Sequence, residues 1–114
     1  MRILTVTDLH EKWAALERIL GHAGPVDVVL FGGDITDFGT PAAAETLIRM
    51  AQTAAAQVFA VAGNCDSAEI ERYLVKLDVS LFRCGRTFRG VGFQGLSAMP
   101  PWRSFSSRMK GPNG

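Results

Sequence analysis

The sequence predicts an α/β fold in which a parallel sheet, built from βαβ units, is flanked by helices. Short, nearly continuous apolar runs alternate three times with segments that repeat apolar residues at helical spacing. Such runs are typical of strands buried in a parallel sheet, and their alternation with helices favours right-handed crossovers. A chain of 114 residues is long enough for one domain, and folding at that size buries roughly two thirds of the surface of the unfolded chain.

The first strand and helix occupy the amino-terminal residues. Residues 2–7, RILTVT, are rich in apolar and β-branched types and predict a strand that ends before Asp8. Residues 11–24 then repeat apolar side chains at helical spacing, and the Gly24-Pro25 pair ends the pattern. The side chains predicted to face inward from this helix are Trp13, Leu16, Ile19 and Leu20.

Two further pairs follow the same plan. A strand is predicted over residues 26–31, VDVVLF, and an alanine-rich helix over residues 41–56, because proline suits the first helical position. A third strand is predicted over residues 57–62, and a third helix over residues 67–77, in which Ser67 caps the first turn. The inward stripe of this helix consists of Ile70, Tyr73, Leu74 and Leu77.

The character of the sequence changes near residue 79. Short apolar pieces between glycines predict small strands and tight turns. The last residues mix proline, serine and basic side chains without periodicity, which is typical of a flexible tail. We therefore predict one domain over residues 1–100 and a tail over residues 101–114.

Composition and charge narrow the classes of partner and location. Twelve Lys and Arg face eleven Asp and Glu, and the resulting net charge of +1 gives no electrostatic reason to expect nucleic acid or an anionic membrane as partner. The apolar stretch before Asp8 is too short for a signal peptide, and no run approaches the ~20 apolar residues of a membrane-spanning helix. Without a secretory signal, Cys65 and Cys84 are predicted to be free thiols in the cytoplasm.

Polar side chains follow each of the three predicted strands. Because the carboxyl ends of parallel strands meet at one edge of the sheet, the three loops are predicted to lie together, where ligands bind in open α/β folds. The side chains there that could hold a metal ion are those of Asp8, His10, Asp34, Asn64, Cys65 and Asp66.

The spacing of these residues favours metal binding. Asp8 and His10, two residues apart on an extended stretch, point to the same side, and two glycines before Asp34 let the backbone approach a ligand. Asp34 could bridge two metals and Asn64 offers a carbonyl oxygen, so the oxygen and nitrogen set suits Mn²⁺, Fe or Zn²⁺. Two ions about 3.5–4 Å apart hold a hydroxide and clamp phosphate oxygens. The pattern therefore predicts phosphoester hydrolysis by a metal-bound hydroxide at a dinuclear site.

The order of these blocks resembles the signature of the calcineurin-like metallophosphoesterase superfamily. That signature reads DxH, GD, GN[HC][DE], a lone His and GHxH, and its first three blocks stand here as DLH, GD and GNCD. The resemblance implies that Asp8 and His10 bind the first of two divalent ions, that Asp34 bridges the ions and that Asn64 binds the second. It also implies a phosphomonoester or phosphodiester substrate and the N-terminal half of a four-layer αββα fold.

Two departures from the signature bear on activity. Many members carry a histidine after the asparagine, taken to protonate the leaving group or steady the phosphate, and Cys65 stands there in this chain. The catalytic residues that the resemblance implies are therefore Asp34, Asn64 and Cys65. The later histidines, which complete both metal shells, have no counterpart, since His22 lies in the first predicted helix. The resemblance thus implies an incomplete member, for which a homo-oligomer or a complementing chain is an open possibility.

Plainer roles and rival functions also stay open. Asp8 and His10 can form a capped turn, Asn64 can adopt a left-handed backbone, and Asp66 is predicted to cap the third helix rather than orient Asn64. Cys65 fits packing or the lining of a substrate site better than nucleophilic chemistry. One rival function is a catalytically weak metal-binding or interaction module of the same superfamily. The other is an aspartyl-phosphate phosphatase or receiver domain, which also places aspartates at strand ends.

Overall fold

A computed structural model describes residues 1–82 and 85–95 of the chain. Cys84 and the tail predicted over residues 101–114 lie outside these residues. The elements in chain order are β1 (Ile3–Val6), α1 (Trp13–Ala23), β2 (Val26–Phe31), α2 (Pro41–Gln52), β3 (Ala55–Ala60), α3 (Ala68–Lys76), β4 (Arg86–Phe88) and β5 (Val91–Phe93). The predicted alternation of strands and helices is confirmed.

The three long strands form one parallel sheet in the order β1-β2-β3. Beyond β3, residues 79–81 add a short fourth position, where the amide of Ala60 donates to the carbonyl of Val79 at 2.8 Å and the amide of Leu81 donates to the carbonyl of Ala60 at 3.0 Å. Strands that follow one another in this order need crossovers of one hand, so the three helices lie on the same face of the sheet. The predicted parallel α/β architecture is therefore present.

The helix boundaries follow from local capping. The hydroxyl of Thr40 accepts from the amide of Ala43, with Pro41 in the first turn of α2, and the predicted Ser67 cap of α3 is confirmed. The prediction that α2 continues to residue 56 is wrong, because α2 ends at Gln52 and Ala55 already pairs with Val26. Pairing in the sheet outweighs the helical preference of alanine there.

The main core lies between the sheet and the three helices. Leu16 of α1, Ile48 of α2 and Leu74 of α3 are fully buried against strand residues such as Val29 and Val58. The inward stripe predicted for α1 is only partly right, since Trp13 is 59% exposed and Ile19 is 37% exposed. Trp13 is the first residue of α1 and lines an open groove with Ala43 and Leu47 of α2, whereas Ile19 lies beside Leu4 of β1, the edge strand.

The opposite face of the sheet carries a smaller apolar cluster. The antiparallel hairpin β4–β5 places Phe93 against Phe59, with ring centroids 5.0 Å apart, and Leu81 and Val28 complete this cluster. Within the described part of the chain, this face is less covered on the side of β1, where Ile3 is 45% exposed. Across residues 1–82 and 85–95, no helix combines the length and the apolar character required to cross a bilayer.

Candidate metal centre

Three loops meet at the carboxyl edge of the sheet, one after each parallel strand. The amide of His10 in the first loop donates to the carbonyl of Asp34 in the second at 2.9 Å. The amide of Phe38 in the second loop donates to the carbonyl of Cys65 in the third, also at 2.9 Å. Main-chain bonds therefore join the loops before any side chain contributes, as the parallel topology predicts.

The structure brings three metal-capable side chains together at this edge. His10, Asp34 and Cys65 each offer one ligand atom, and these atoms lie within 4.8 Å of one another. All three residues are half-buried, so the group is open to an ion from solvent. We call this group the donor triad.

Close packing of two glycines positions Asp34 in the donor triad. A Cβ on Gly63 would collide with the backbone nitrogen and carboxylate of Asp34, so this position requires glycine. Gly33 has a φ of +115°, and its Cβ position would lie 3.3 Å from the Cα of Gly63. The Oδ1 atom of Asp34 then accepts from the amide of Cys65 at 2.8 Å, which fixes the orientation of this carboxylate.

Asp66 is the hydrogen-bonding centre of the loops. Its buried carboxylate accepts from the amides of Ile35 (3.0 Å), Thr36 (2.8 Å) and Gly63 (2.9 Å) and from the Thr36 hydroxyl (2.8 Å). The prediction that Asp66 caps α3 is wrong, because the hydroxyl of Ser67 makes the capping bond to Ile70. Asp66 instead joins the second loop to the third by charge-assisted bonds.

The backbone at this edge is held in unusual conformations. Asp8, His10, Glu11, Asp34 and Phe38 all have φ between 51° and 61°, the left-handed region that side chains other than glycine rarely adopt. Such conformations cost of order 1–3 kcal/mol each, and they persist only where the surrounding structure imposes them. These angles also correct the prediction that Asp8 and His10 lie on an extended stretch, since both residues are left-handed.

Two of the predicted ligands lie near the donor triad without belonging to it. Asp8 is exposed, and its amide donates to the carbonyl of Gly33 at 3.3 Å. Asn64 is exposed and precedes Cys65 directly in the third loop. The predicted ligand roles of Asp8 and Asn64 stay predictions.

The electrostatic environment of the donor triad is negative. Burial raises the pKa of the Cys65 thiol, and the charge of Asp34 raises it further. Weaker effects in the same direction come from Asp37, Asp66 and Asp8. Several carboxylates thus act on one half-buried thiol, and a divalent cation at this position would offset their repulsion.

The donors present fit a divalent transition metal. Imidazole nitrogen, carboxylate oxygen and cysteine sulfur are the three ligand types that Zn²⁺ takes in proteins, and imidazole and carboxylate also suit Fe and Mn²⁺. Nδ1 of His10 lies 3.9 Å from Oδ1 of Asp37, so a carboxylate stands beside the ring as well. The residues at this edge therefore suit the metal ions that the sequence predicts.

The sequence places Cys65 among the metal-capable side chains, and its sulfur lies within the donor triad. The feature that the sequence does not predict is the role of Asp66, which joins two loops instead of capping a helix. A signal for Asp66 existed in the sequence, because Ser67 already supplied the cap and left the carboxylate for another task.

Comparison with protein families gives a match over most of the chain. The family model described as calcineurin-like phosphoesterase matches residues 1–111. The parallel sheet with three helices is consistent with the N-terminal half of that fold. No curated protein matches the chain.

Proposed function

Because this chain belongs to the calcineurin-like phosphoesterase family, we propose that it hydrolyses phosphomonoesters or phosphodiesters with divalent metal ions held at the carboxyl edge of its sheet. The observation that carries the proposal is the donor triad, in which His10, Asp34 and Cys65 lie within 4.8 Å of one another on loops from three different strands. A family match alone would give the fold, whereas the convergence of these donors supports a working site.

The proposed ligands are shared between two ions. Asp8, His10 and Asp34 are assigned to the first ion, and Asp34 and Asn64 to the second, with Mn²⁺, Fe or Zn²⁺ as the candidate metals. When bound, such ions supply a nucleophile at neutral pH and stabilise negative charge on the phosphoryl oxygens.

The residues of this chain orient the site before substrate arrives. Asp34 is held by the amide of Cys65, and Asp66 ties the second loop to the third through buried bonds. Ligands fixed in this way need little rearrangement when charge develops on the substrate. Asn64 and Cys65 follow Gly63 on the open side of the edge, where a phosphoester can approach them.

A second candidate function is a metal-binding or interaction module of the same family with weak catalysis. The size of the donor group favours it. Among residues 1–82 and 85–95, one group of three His, Cys, Asp or Glu side chains can hold an ion. One catalytic zinc already takes three protein ligands, so this group is enough for one ion and not for two. Ligands from a second copy or a complementing chain would then complete the second ion site.

Hydrolysis assays on the whole chain test both candidates. The metal-free protein receives Mn²⁺, Zn²⁺ or Fe²⁺, and turnover of an aryl phosphomonoester and an aryl phosphodiester is followed beside calorimetric metal titration. We expect metal-dependent turnover that Asp34→Asn abolishes and that Asp78→Asn, after the C-terminal end of α3, leaves intact. Metal binding without turnover favours the second candidate, and failure to bind any of these ions contradicts both.

Location and substrate class complete the proposal. We expect the chain to act in the reducing cytoplasm, where the Cys65 thiol stays free for a role at the site. The described part of the chain contains Cys65 as a free cysteine. The proposed substrate is a phosphoester small enough, or exposed enough, to reach a half-buried site at the rim of the sheet.

A further inference from the structure

We propose that the sulfur of Cys65 is a direct ligand of the ion held by His10 and Asp34, so that this site prefers a thiophilic ion such as Zn²⁺ over Mn²⁺ or Mg²⁺. The inference concerns the same site as the proposed function and rests on it for the presence of an ion. It assigns to Cys65 a role that the family signature does not, since the signature places ligation on the aspartates, the histidines and the asparagine.

Distances within the donor triad support direct ligation. Zinc bonds to nitrogen, oxygen and sulfur at about 2.0–2.3 Å, so ligand atoms around a tetrahedral ion lie about 3.3–3.8 Å apart. The three donor atoms here already lie within 4.8 Å of one another. To reach the spacing of zinc ligands, the donor atoms must move by about 1–1.5 Å, which side-chain rotation can supply without a change in the fold.

The peptide that carries Cys65 is fixed on both sides. Its amide donates to Asp34 Oδ1 at 2.8 Å, and its carbonyl accepts from the amide of Phe38 at 2.9 Å. The next residue, Asp66, is buried and anchored by four hydrogen bonds. Cys65 therefore presents its side chain from a rigid base, as a ligand must if metal affinity is to be high.

Chemistry decides which ions benefit from this arrangement. Thiolate is a soft ligand that favours Zn²⁺ and disfavours Mn²⁺ and Mg²⁺, which prefer oxygen. On ligation the thiol proton leaves to solvent, and the sulfur donates an electron pair to the ion. The thiolate would then share the ion with the imidazole of His10 and the carboxylate of Asp34, which are ligand types that Zn²⁺ takes in proteins.

Cobalt provides the test, because Co²⁺ enters zinc sites and thiolate ligation adds a sulfur-to-cobalt charge-transfer band in the near ultraviolet. Metal-free whole chain is titrated with Co²⁺ and then with Zn²⁺ in competition. We expect the wild-type chain and Cys84→Ser to develop the band, and Cys65→Ser to lack it. Cys84→Ser is the matched control, since Cys84 is the other cysteine of the chain.

Affinities sharpen the test. Cys65→Ser should lower the Zn²⁺ affinity by about 10–100-fold or more, because replacing residues that only contact a metal ligand already costs that much. Its Mn²⁺ affinity should change far less. A charge-transfer band that persists in Cys65→Ser, or equal losses for Zn²⁺ and Mn²⁺, overturns the inference. Circular dichroism of each variant confirms that the fold is retained.

The outcome separates this inference from the proposed function. Metal-dependent hydrolysis with no charge-transfer band in the wild-type chain overturns thiolate ligation and leaves phosphoester hydrolysis standing. A band that depends on Cys65, without hydrolysis in any metal, supports the ligand and contradicts the catalytic proposal.

Discussion

The helix-covered face of the sheet and its carboxyl edge are held together by different forces. On the helix-covered face, apolar side chains such as Leu16, Ile48 and Val58 pack with no exposure or almost none. At the carboxyl edge, by contrast, a buried carboxylate, several left-handed residues and a group of half-buried donors lie within a few ångströms. The first region gains free energy from burial, and the second stores strain and charge.

The difference separates stability from function in this chain. Substitutions in the apolar face should lower the free energy of unfolding without changing metal preference. Substitutions of donors at the edge should change metal binding and leave the metal-free protein as stable as before or more stable, as expected where a site is strained. Asp66 is the exception, because it lies at the edge and yet holds two loops together.

The largest effect is expected in the apolar face. Leu16→Ala should lower the free energy of unfolding by about 4 kcal/mol, because truncation of a fully buried leucine leaves a cavity in the main core. Ile19→Ala, in the same helix but 37% exposed, should cost less than about half of that. Urea denaturation measures both, and equal losses would contradict the assigned orientation of α1.

Asp66→Asn should have the second-largest effect and lower the free energy of unfolding by about 3 kcal/mol. An asparagine has the same shape but one acceptor oxygen, so two of the four buried donors lose their partner, at about 1–3 kcal/mol each. Asp37→Asn is the control, since Asp37 is 65% exposed and its replacement should stay within about 0.5 kcal/mol. A fully stable Asp66→Asn variant would show that the loops do not depend on this carboxylate.

Phe38→Gly should have a smaller effect of the opposite sign. Phe38 has a φ of 57° and is 75% exposed, so glycine removes strain and loses little packing. Glycine also loses more conformational entropy on folding, which offsets part of this relief. The free energy of unfolding should therefore rise by about 0.5–1 kcal/mol. Thermal unfolding measures it, and a lower melting temperature would mean that the ring makes a stabilising contact.

The smallest effect concerns acid stability between α2 and α3. The hydroxyl of Tyr73 donates to Glu45 at 2.7 Å, and this bond, with Arg49, lowers the pKa of Glu45. A pKa lowered by folding adds stability above the unfolded value of 4.5, and this stability is lost as the pH falls through the folded value. In Glu45→Gln and in Tyr73→Phe, the free energy of unfolding should therefore fall less steeply with decreasing pH below about pH 5. An unchanged acid limb in either variant would contradict the assignment.

Most of the fold follows from the sequence, because it depends on local signals. Apolar runs predict β1 to β3, and Ser67 predicts the start of α3 from its own neighbours. The errors arose where distant partners decide. Ala55 joins β3 because it pairs with Val26, and Trp13 is 59% exposed at the first position of α1, in an open groove beside α2.

The site was predicted at the level of loops and not of atoms. The rule that parallel strands end at one edge brings His10 and Asp34 together correctly. Which side chains come together in the donor triad depends on the left-handed backbone angles at Asp8, His10 and Asp34. The local sequence does not determine these angles. Ile35 and Thr36, the partners of Asp66 in the second loop, lie about thirty positions away in the sequence, so its role in joining the loops required the structure.

Metal-linked stability tests the central claim most directly, because it joins the two regions in one measurement. Thermal unfolding of the whole chain is recorded with and without Zn²⁺ at about one hundred times its dissociation constant, beside His10→Ala and Asp34→Asn. Zn²⁺ should stabilise the wild-type chain by about 2.7 kcal/mol and leave both variants unchanged. Equal stabilisation of the wild-type chain and the variants, or of none, would show that the carboxyl edge holds no ion.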